Sequence, residues 1–265
     1  MAAPRNKFKE TLKKKKIQLG FWQSLASTST CEISAQIGFD WLLIDGEHAP
    51  NDIANIADLL RVIDPSDSQA VVRVVAGIPH IIKQVLDAGA QSILVPMVDT
   101  AEQAREMVRA VRYPPDGIRG AALVTRAAQY GNVENYAPTA NDEICLLVQA
   151  ESKTAIENLD EICAVEGVDG VFIGPFDLAA SMGFIHDPNN EVVQKTIEKA
   201  ILKIVSSGKA AGILMLDEIR AKKYIDMGAL FVAVGTDVST FSNATKKLLA
   251  NYRGSNFSPN SNSVY

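Results

Sequence analysis

The chain has 265 residues, 47% of them hydrophobic, and a formal net charge of −5. An α/β barrel takes about 250 residues, so the length suits one large domain. The negative charge gives no indication of a nucleic-acid partner. No stretch approaches the roughly 18 apolar residues of a membrane helix, and the three widely spaced cysteines indicate neither a disulfide framework nor a zinc site. We therefore expect a cytoplasmic protein with no membrane and no nucleic-acid partner.

Apolar runs alternate with amphipathic segments along the chain. Eight runs are predicted to be strands: 16–22, 40–45, 70–75, 92–98, 143–151, 170–175, 210–215 and 230–237. Most are continuously apolar, which is typical of parallel strands buried on both faces. Eight such strands alternating with helices predict an α/β fold, the (β/α)8 TIM barrel. An open doubly wound sheet is the alternative, but no glycine fingerprint follows the first strand.

The predicted domain organisation is one barrel at residues 1–251, followed by a flexible C-terminal tail at 252–265 that is rich in Ser and Asn. The longest irregular connection is 113–142, and it starts with the turn-forming segment YPPDGIRG. Long connections of this kind often cover a functional site. We therefore expect residues 113–142 near the site.

Two carboxylates stand at the ends of two predicted strands. Glu151 closes the run 143–151, and Asp177 follows the run 170–175. The carboxyl ends of barrel strands meet at one rim, where barrel enzymes carry their catalytic residues. Two acids with open positions suit a hard divalent cation better than a structural zinc. Helix capping is the structural alternative for Glu151, and an N-cap or first-turn position is the alternative for Asp177.

Three further polar residues are of interest: Asp45 ends the run 40–45, His48 follows it, and Arg73 lies inside the run 70–75. His48 comes shortly after Asp45 and could be a general base whose protonation a carboxylate sets, or a loop histidine bonded to the backbone. Arg73 interrupts an apolar run, which is unfavourable unless it meets an anion. It could form a structural ion pair, or it could stabilise a carboxylate or a developing enolate.

Other features restrict the chemistry. Gln149 lies two residues before Glu151, so both side chains face the same side of their strand. Backbone N–H groups at Phe176 and Asp177 could point at a bound anion, since a turn there leads into a helix. No predicted strand has a lysine in its interior, which argues against a Schiff-base aldolase. A glycine-rich phosphate loop is missing too, so phosphorylated substrates are less expected.

Six segments carry a family resemblance: DWLLIDGEHAP, VVRV, QVLDAGAQSILVPMVDTAEQAR, RYPPDGIRG, LLVQAESKTAIENLDEI and EGVDGVFIGPFDLAASMG. They closely resemble the HpcH/HpaI aldolase family of class II pyruvate aldolases. The resemblance implies the barrel fold and a hexamer whose C-terminal helix is exchanged between subunits. It implies cleavage of a 2-keto-3-deoxy acid, such as 2-keto-3-deoxy-L-rhamnonate, to pyruvate and an aldehyde. The alternative substrate is 4-hydroxy-2-oxo-heptane-1,7-dioate.

The resemblance also implies the metal ligands and the catalytic base. Glu151 and Asp177 match the acids that bind a divalent cation, which could be Mg, Mn or Co. His48 matches the catalytic histidine, with Asp45 and Asp87 as its supporting acids.

Substrate contacts are implied in the same way. Arg73 matches the pyruvate-binding arginine that balances charge on the enolate. Gln149 matches a substrate-contacting glutamine, and the backbone at Phe176 and Asp177 matches the site of the pyruvate carboxylate.

Two departures from the family pattern concern specificity. Phe176 stands where the family usually has a small alanine, so its ring could narrow or reshape the site. The glycine-rich loop of the family becomes residues 119–122 here, its later Trp becomes Tyr130, and the loop is one residue shorter. The alternatives are therefore a barrel that binds a keto acid without turnover, or an enzyme that uses the same enolate for decarboxylation or acyl-ester cleavage.

Overall fold

The computed structural model describes residues 1–253, so the predicted tail lies outside the described residues from position 254 onwards. The strands are β1 (Gln18–Gln23), β2 (Trp41–Asp45), β3 (Gln69–Arg73), β4 (Ser92–Val95), β5 (Cys145–Ala150), β6 (Gly170–Ile173), β7 (Ala210–Leu214) and β8 (Phe231–Thr236). The helices are α1 (Lys7–Lys13), α2 (Thr28–Ile37), α3 (Ile53–Ile63), α4 (Pro79–Asp87), α5 (Ala101–Val111), α6 (Tyr136–Glu143), α7 (Lys153–Glu157), α8 (Leu159–Cys163), α9 (Pro175–Ser181), α10 (Glu191–Ser206), α11 (Glu218–Asp226) and α12 (Asp237–Arg253). None of these helices is long and apolar enough to cross a membrane.

The strands form a closed parallel barrel in chain order, with β1 paired to both β2 and β8. This confirms the predicted (β/α)8 barrel and excludes the open sheet. The strand ends differ in detail, since β4 stops at Val95 where residues up to 98 were expected. Pro96 cannot donate to the ladder, and Met97 has a φ of 54° that no strand accommodates.

The amino end of the barrel lumen is closed by aromatic rings. Helix α1 contributes Phe8, whose ring centroid lies 5.9 Å from that of Trp41 and 6.0 Å from that of Phe231. Two glycines make room for these rings. A Cβ on Gly20 would lie 2.1 Å from the Trp41 ring, and a Cβ on Gly212 would lie 2.2 Å from the Phe231 ring. The lumen is therefore a packed core that opens only at the carboxyl end.

The long connection between α5 and β5 lies at the amino end of the barrel. Helix α5 runs back from the carboxyl rim, and the connection packs against the N-terminal segment. The backbone N–H of Asn6 donates to Glu143 Oε2 at 2.8 Å, and Asn6 Nδ2 donates to Ser92 Oγ, at the start of β4, at 3.0 Å. The expectation that residues 113–142 cover the site is therefore wrong within one chain, because a connection from a helix to a strand belongs to the opposite rim.

Helix α12 does not pack along its own barrel. Asp237, at its start, is its one buried residue, and contacts to β1 and β8 are made there. Phe241 and Tyr252 are 64% and 84% exposed, and Leu248 and Leu249 are exposed as well. Each outer helix of a barrel normally buries an apolar stripe against the strands, so α12 presents an unusually apolar free surface.

Candidate active site

The lumen changes from apolar to polar at its carboxyl end. Cys145 and Leu147 of β5 belong to the buried apolar cluster that fills the lumen together with Phe8. Alternate residues of a strand face the same side, so Gln149 and Glu151 also face the lumen, nearer its carboxyl end. Leu43 of β2 belongs to the same cluster, so Asp45, two residues further along, faces the lumen as well. The shared side predicted for Gln149 and Glu151 is the lumen mouth.

Asp45 and Arg73 form a buried ion pair across neighbouring strands. Arg73 Nε donates to Asp45 Oδ1 at 2.9 Å, and Nη2 donates to Oδ2 at 2.7 Å. Burial alone would raise the pKa of Asp45, but the bonds and charge of Arg73 outweigh it and hold this pKa below its ordinary value. The guanidinium is thereby fixed at the rim. This geometry fits both alternatives for Arg73, a structural ion pair and stabilisation of a carboxylate or a developing enolate.

Trp22 is a site residue that the sequence analysis missed. Its indole Nε1 donates to Asp45 Oδ2 at 3.1 Å, and its ring centroid lies 5.0 Å from Arg73 Cζ. The ring therefore positions the acid and stacks on the cation. The sequence contained one signal for Trp22. It ends the first predicted strand, and the ends of the other strands carry the polar residues of the rim.

His48 lies in the loop after β2 with its imidazole 63% exposed. Asp45 Oδ1 accepts the backbone N–H of His48 at 3.2 Å, so Asp45 supports the loop and does not bond the ring. The carboxylate nearest to the ring among the described contacts is Glu47, whose Oε1 lies 3.8 Å from His48 Nε2. A carboxylate partner for this histidine was expected, but the structure offers Glu47 in place of Asp45.

Glu151 is buried at the lumen mouth. Met97 donates its backbone N–H to Oε1 at 2.8 Å, and Gln149 Nε2 donates to Oε2. Burial raises the pKa of Glu151 to about 7; the Met97 bond opposes this, and the charges of Asp177 and Glu47 add to it. The capping alternative does not apply, because Ser152 caps α7 by accepting the N–H of Ala155 at 3.0 Å.

Asp177 lies in the first turn of α9, which is the position that its structural alternative predicted, and Gly174 occupies the N-cap position. Its negative charge raises the pKa of both Glu151 and Glu47, so the three acids share one electrostatic environment. Gly174, the N-cap residue of α9, leaves room for the acid pair. A Cβ there would lie 2.4 Å from Glu151 Oε2 and 2.9 Å from Gln149 Nε2. Phe176 is half-buried beside Asp177.

Asp87 is not brought to His48 within the chain. It is the last residue of α4, a helix that starts at the carboxyl rim after β3 and ends near the start of β4. There it accepts a hydrogen bond from Arg119 Nη2 at 2.8 Å. Asp87 and the loop around Arg119 therefore both lie at the opposite end of the barrel from Glu151.

The rim fits a divalent cation only with help from further ligands. Within residues 1–253, no group of three or more His, Cys, Asp and Glu side chains is arranged to hold an ion. However, the buried Gln149 Oε1 accepts no hydrogen bond from any described residue. The pKa of Glu151 is raised by burial and by the charges of Asp177 and Glu47 despite the opposing charge of Arg73, so a bound cation would stabilise this carboxylate. Two carboxylates with oxygens from substrate and water match the preference of Mg²⁺ for partly hydrated sites.

A closed parallel barrel with acids, an arginine and a histidine at the carboxyl rim defines a TIM-barrel enzyme. More narrowly, the chain belongs to the HpcH/HpaI aldolase/citrate lyase family, whose sequence pattern matches residues 18–244. This membership confirms the resemblance found in the sequence and makes the protein an aldolase, a carbon–carbon lyase.

Several known proteins are similar over nearly the whole chain. A hydroxypyruvate/pyruvate aldolase of Agrobacterium fabrum is 52% identical over 266 residues, which cover 100% of both chains. A 2-keto-3-deoxy-L-rhamnonate aldolase of Klebsiella pneumoniae is 52% identical over 261 residues, which cover 98% of each. The crystal structure of a family member from Burkholderia cenocepacia has a TM-score of 0.91 and 38% identity, covering 94% of this chain and 100% of that one.

Proposed function

We propose that the protein is a divalent-metal-dependent aldolase that cleaves a 2-keto-3-deoxy acid, such as 2-keto-3-deoxy-L-rhamnonate, to pyruvate and an aldehyde. The observation that carries this proposal is the buried Glu151 carboxylate beside Asp177, at the same rim as the fixed guanidinium of Arg73. A relative named for 2-keto-3-deoxy-L-rhamnonate supports this choice of substrate.

The identity of the keto acid offers a second candidate for the substrate. An equally similar relative is named a hydroxypyruvate/pyruvate aldolase, so hydroxypyruvate is an alternative donor for the same chemistry. 4-Hydroxy-2-oxo-heptane-1,7-dioate is a further candidate for cleavage. Both cleavage substrates release a 2-oxo acid with an enolisable carbon, and hydroxypyruvate is itself such an acid, so all three require the same rim residues.

Each rim residue has a defined task in this proposal. Mg²⁺, Mn²⁺ or Co²⁺ bound by Glu151 and Asp177 would supply Lewis-acid stabilisation of the enolate. His48 takes the proton of the 4-hydroxyl during cleavage, directly or through a water. Arg73, held by Asp45, offers positive charge to the enolate oxygen.

Contacts to the keto acid complete the site. Gln149 lies at the lumen mouth with Oε1 unpaired among the described residues, so this oxygen can accept a hydrogen bond from a substrate hydroxyl. The backbone N–H groups at Phe176 and Asp177 lie in the first turn of α9, where the carboxylate of the keto acid would bind.

We further propose a cytoplasmic homo-hexamer with exchanged C-terminal helices. The exposed apolar side chains of α12 support exchange, since a second barrel would cover them. Asp87 and the 119–130 loop can act on a site only from a neighbouring subunit, because both lie at the amino end of their own barrel. Three buried, unpaired cysteines fit a reducing compartment such as the cytoplasm.

The test is release of pyruvate from the candidate substrates, with and without EDTA. Activity that EDTA abolishes and Mg²⁺, Mn²⁺ or Co²⁺ restores is the expected result. Glu151→Gln should be inactive, and Glu157→Gln, a change at an exposed position on α7, should be fully active as its matched control. Keto-acid binding without turnover of any substrate would favour the binding-only alternative.

A further inference from the structure

Glu47 lies between two groups that have roles in the proposed reaction. Its Oε2 is 2.8 Å from Arg73 Nη1, and its Oε1 is 3.8 Å from His48 Nε2. The Glu47 side chain is only 15% exposed. One carboxylate thus spans from the buried arginine to the exposed histidine.

Neutralising Arg73 does not explain the presence of Glu47. Asp45 already accepts two hydrogen bonds from the guanidinium and balances its charge. A second acid adds negative charge to a rim that also holds the two acids proposed for the metal. Burial raises the pKa of Glu47 despite the opposing charge of Arg73, so the ionised carboxylate is less stable here than it would be in water. A residue held there against stability is better explained by function.

The geometry leaves Glu47 few ways to move. Its backbone N–H donates to Asp45 Oδ1 at 3.0 Å, and Arg73 attracts one carboxylate oxygen. The imidazole of His48, in contrast, makes no hydrogen bond with any of residues 1–253. Such an exposed ring samples several rotamers, and a fixed anion beside it favours the rotamer that faces the anion.

We propose that Glu47 is a positioning residue that couples the proton-transferring His48 to the enolate-stabilising Arg73. One oxygen anchors it on the guanidinium, and the other orients the imidazole. His48 then takes the proton of the substrate hydroxyl close to Arg73, whose positive charge stabilises the negative charge that develops on the enolate. This inference rests on the proposed aldolase function.

The experiment compares wild type, Glu47→Gln and the exposed control Glu157→Gln, all as the full-length assembly. The measurements are kcat and KM for pyruvate release, the Kd for Mn²⁺ by electron paramagnetic resonance, and the thermal midpoint. Glu47→Gln should lower kcat by up to about 100-fold, as expected when a catalytic group loses its alignment. KM and the Mn²⁺ Kd should stay close to wild type, because Glu47 is assigned neither to substrate binding nor to metal binding.

A double-mutant cycle with His48→Ala separates positioning from a merely structural effect. If Glu47 acts through His48, Glu47→Gln should lower kcat little further in a His48→Ala background. If Glu47→Gln does not fold, Glu47→Asp enters the same cycle, since it keeps the charge but is one methylene too short to reach both partners.

Three outcomes would overturn the proposal: unchanged kcat in the Glu47 variant, additive losses in the cycle, or a change confined to the Mn²⁺ Kd. The last outcome would make Glu47 a metal-binding residue. A wild-type protein that releases no pyruvate from any candidate would overturn the aldolase function and this inference together. An active wild type with an unaffected Glu47 variant would overturn the inference alone.

Discussion

Asp45 and Arg73 stand opposite each other in the register of β2 and β3, joined by two hydrogen bonds of 2.9 and 2.7 Å. Neighbouring parallel strands thus bring together two charges that are 28 residues apart in the chain. The same acid accepts N–H groups from Trp22, Glu47 and His48. Asp45 is therefore the residue to which most of the rim is bonded, and it is itself buried.

Asp45→Asn should destabilise the fold at neutral pH. Breaking a buried pair by removing one partner typically costs about 3–5 kcal/mol. The folded-state pKa of Asp45 lies below the ordinary 3.8, so its stabilisation is fully present above pH 3.8 and is lost as the pH falls through the lower value. Urea unfolding at fixed protein concentration should show a gap between wild type and variant that narrows below pH 3.8. An equal gap at pH 7 and pH 3 would contradict this account.

Exhaustive chelation should abolish turnover. No lysine stands inside a strand to form a Schiff base, and Glu151 and Asp177 leave a cation as the available electron sink. Pyruvate release should return on adding Mg²⁺, Mn²⁺ or Co²⁺, and borohydride should trap no covalent adduct with substrate. Full activity of the chelated protein would show that the reaction needs no metal.

His48→Ala should lower kcat far more than it weakens metal binding. General acid–base catalysis contributes about 100- to 10,000-fold, and the exposed imidazole is assigned to proton transfer. The measurement is kcat for pyruvate release, together with the Mn²⁺ Kd. His80→Ala is a suitable control, because His80 is an exposed histidine at the start of α4. Normal turnover by the His48 variant would place the base elsewhere.

Gly174→Ala should impair metal binding while leaving the barrel folded. The added methyl group would lie 2.4 Å from Glu151 Oε2 and 2.8 Å from Glu151 Cβ, so this acid must move. The backbone φ of −92° accepts alanine without strain, so the effect is confined to the clash. We expect a raised Mn²⁺ Kd and a thermal midpoint lowered by an overpacking cost of about 1–3 kcal/mol, with the barrel still folded. Ala180→Ser, which also adds one heavy atom to a residue of helix α9 but at a half-buried position, serves as the control.

Phe176→Ala should change the range of accepted keto donors. Phe176 stands in the first turn of α9 beside Asp177, at a position where the family resemblance implies a small residue. If the ring narrows the site, its removal should admit longer 2-oxo acids in the condensation direction. Donor profiles and thermal midpoints of both proteins decide the matter. An unchanged profile with a lowered midpoint would mean that the ring only packs against the helix.

The barrel could be predicted because local signals determine it. Continuous apolar runs such as β2 identify buried parallel strands, and the strand period places Gln149 and Glu151 on one face. Contacts between distant segments left no such signal. Trp22 reaches Asp45 across 23 residues, and the pairing of Asp87 with Arg119 spans 32. The position of residues 113–142 was misjudged because strand direction, not loop length, decides which rim a connection occupies.

The aromatic closure formed by Phe8, Trp41 and Phe231 gives the lumen a single mouth. In the proposed cleavage, the pyruvate part of the substrate lies against Glu151 and Asp177, and the aldehyde part lies nearer the opening. Both products then have to leave through the opening by which the substrate entered. The aldehyde should depart first and pyruvate last. Pyruvate should therefore inhibit cleavage competitively, whereas the aldehyde, which binds only after pyruvate, should inhibit it non-competitively.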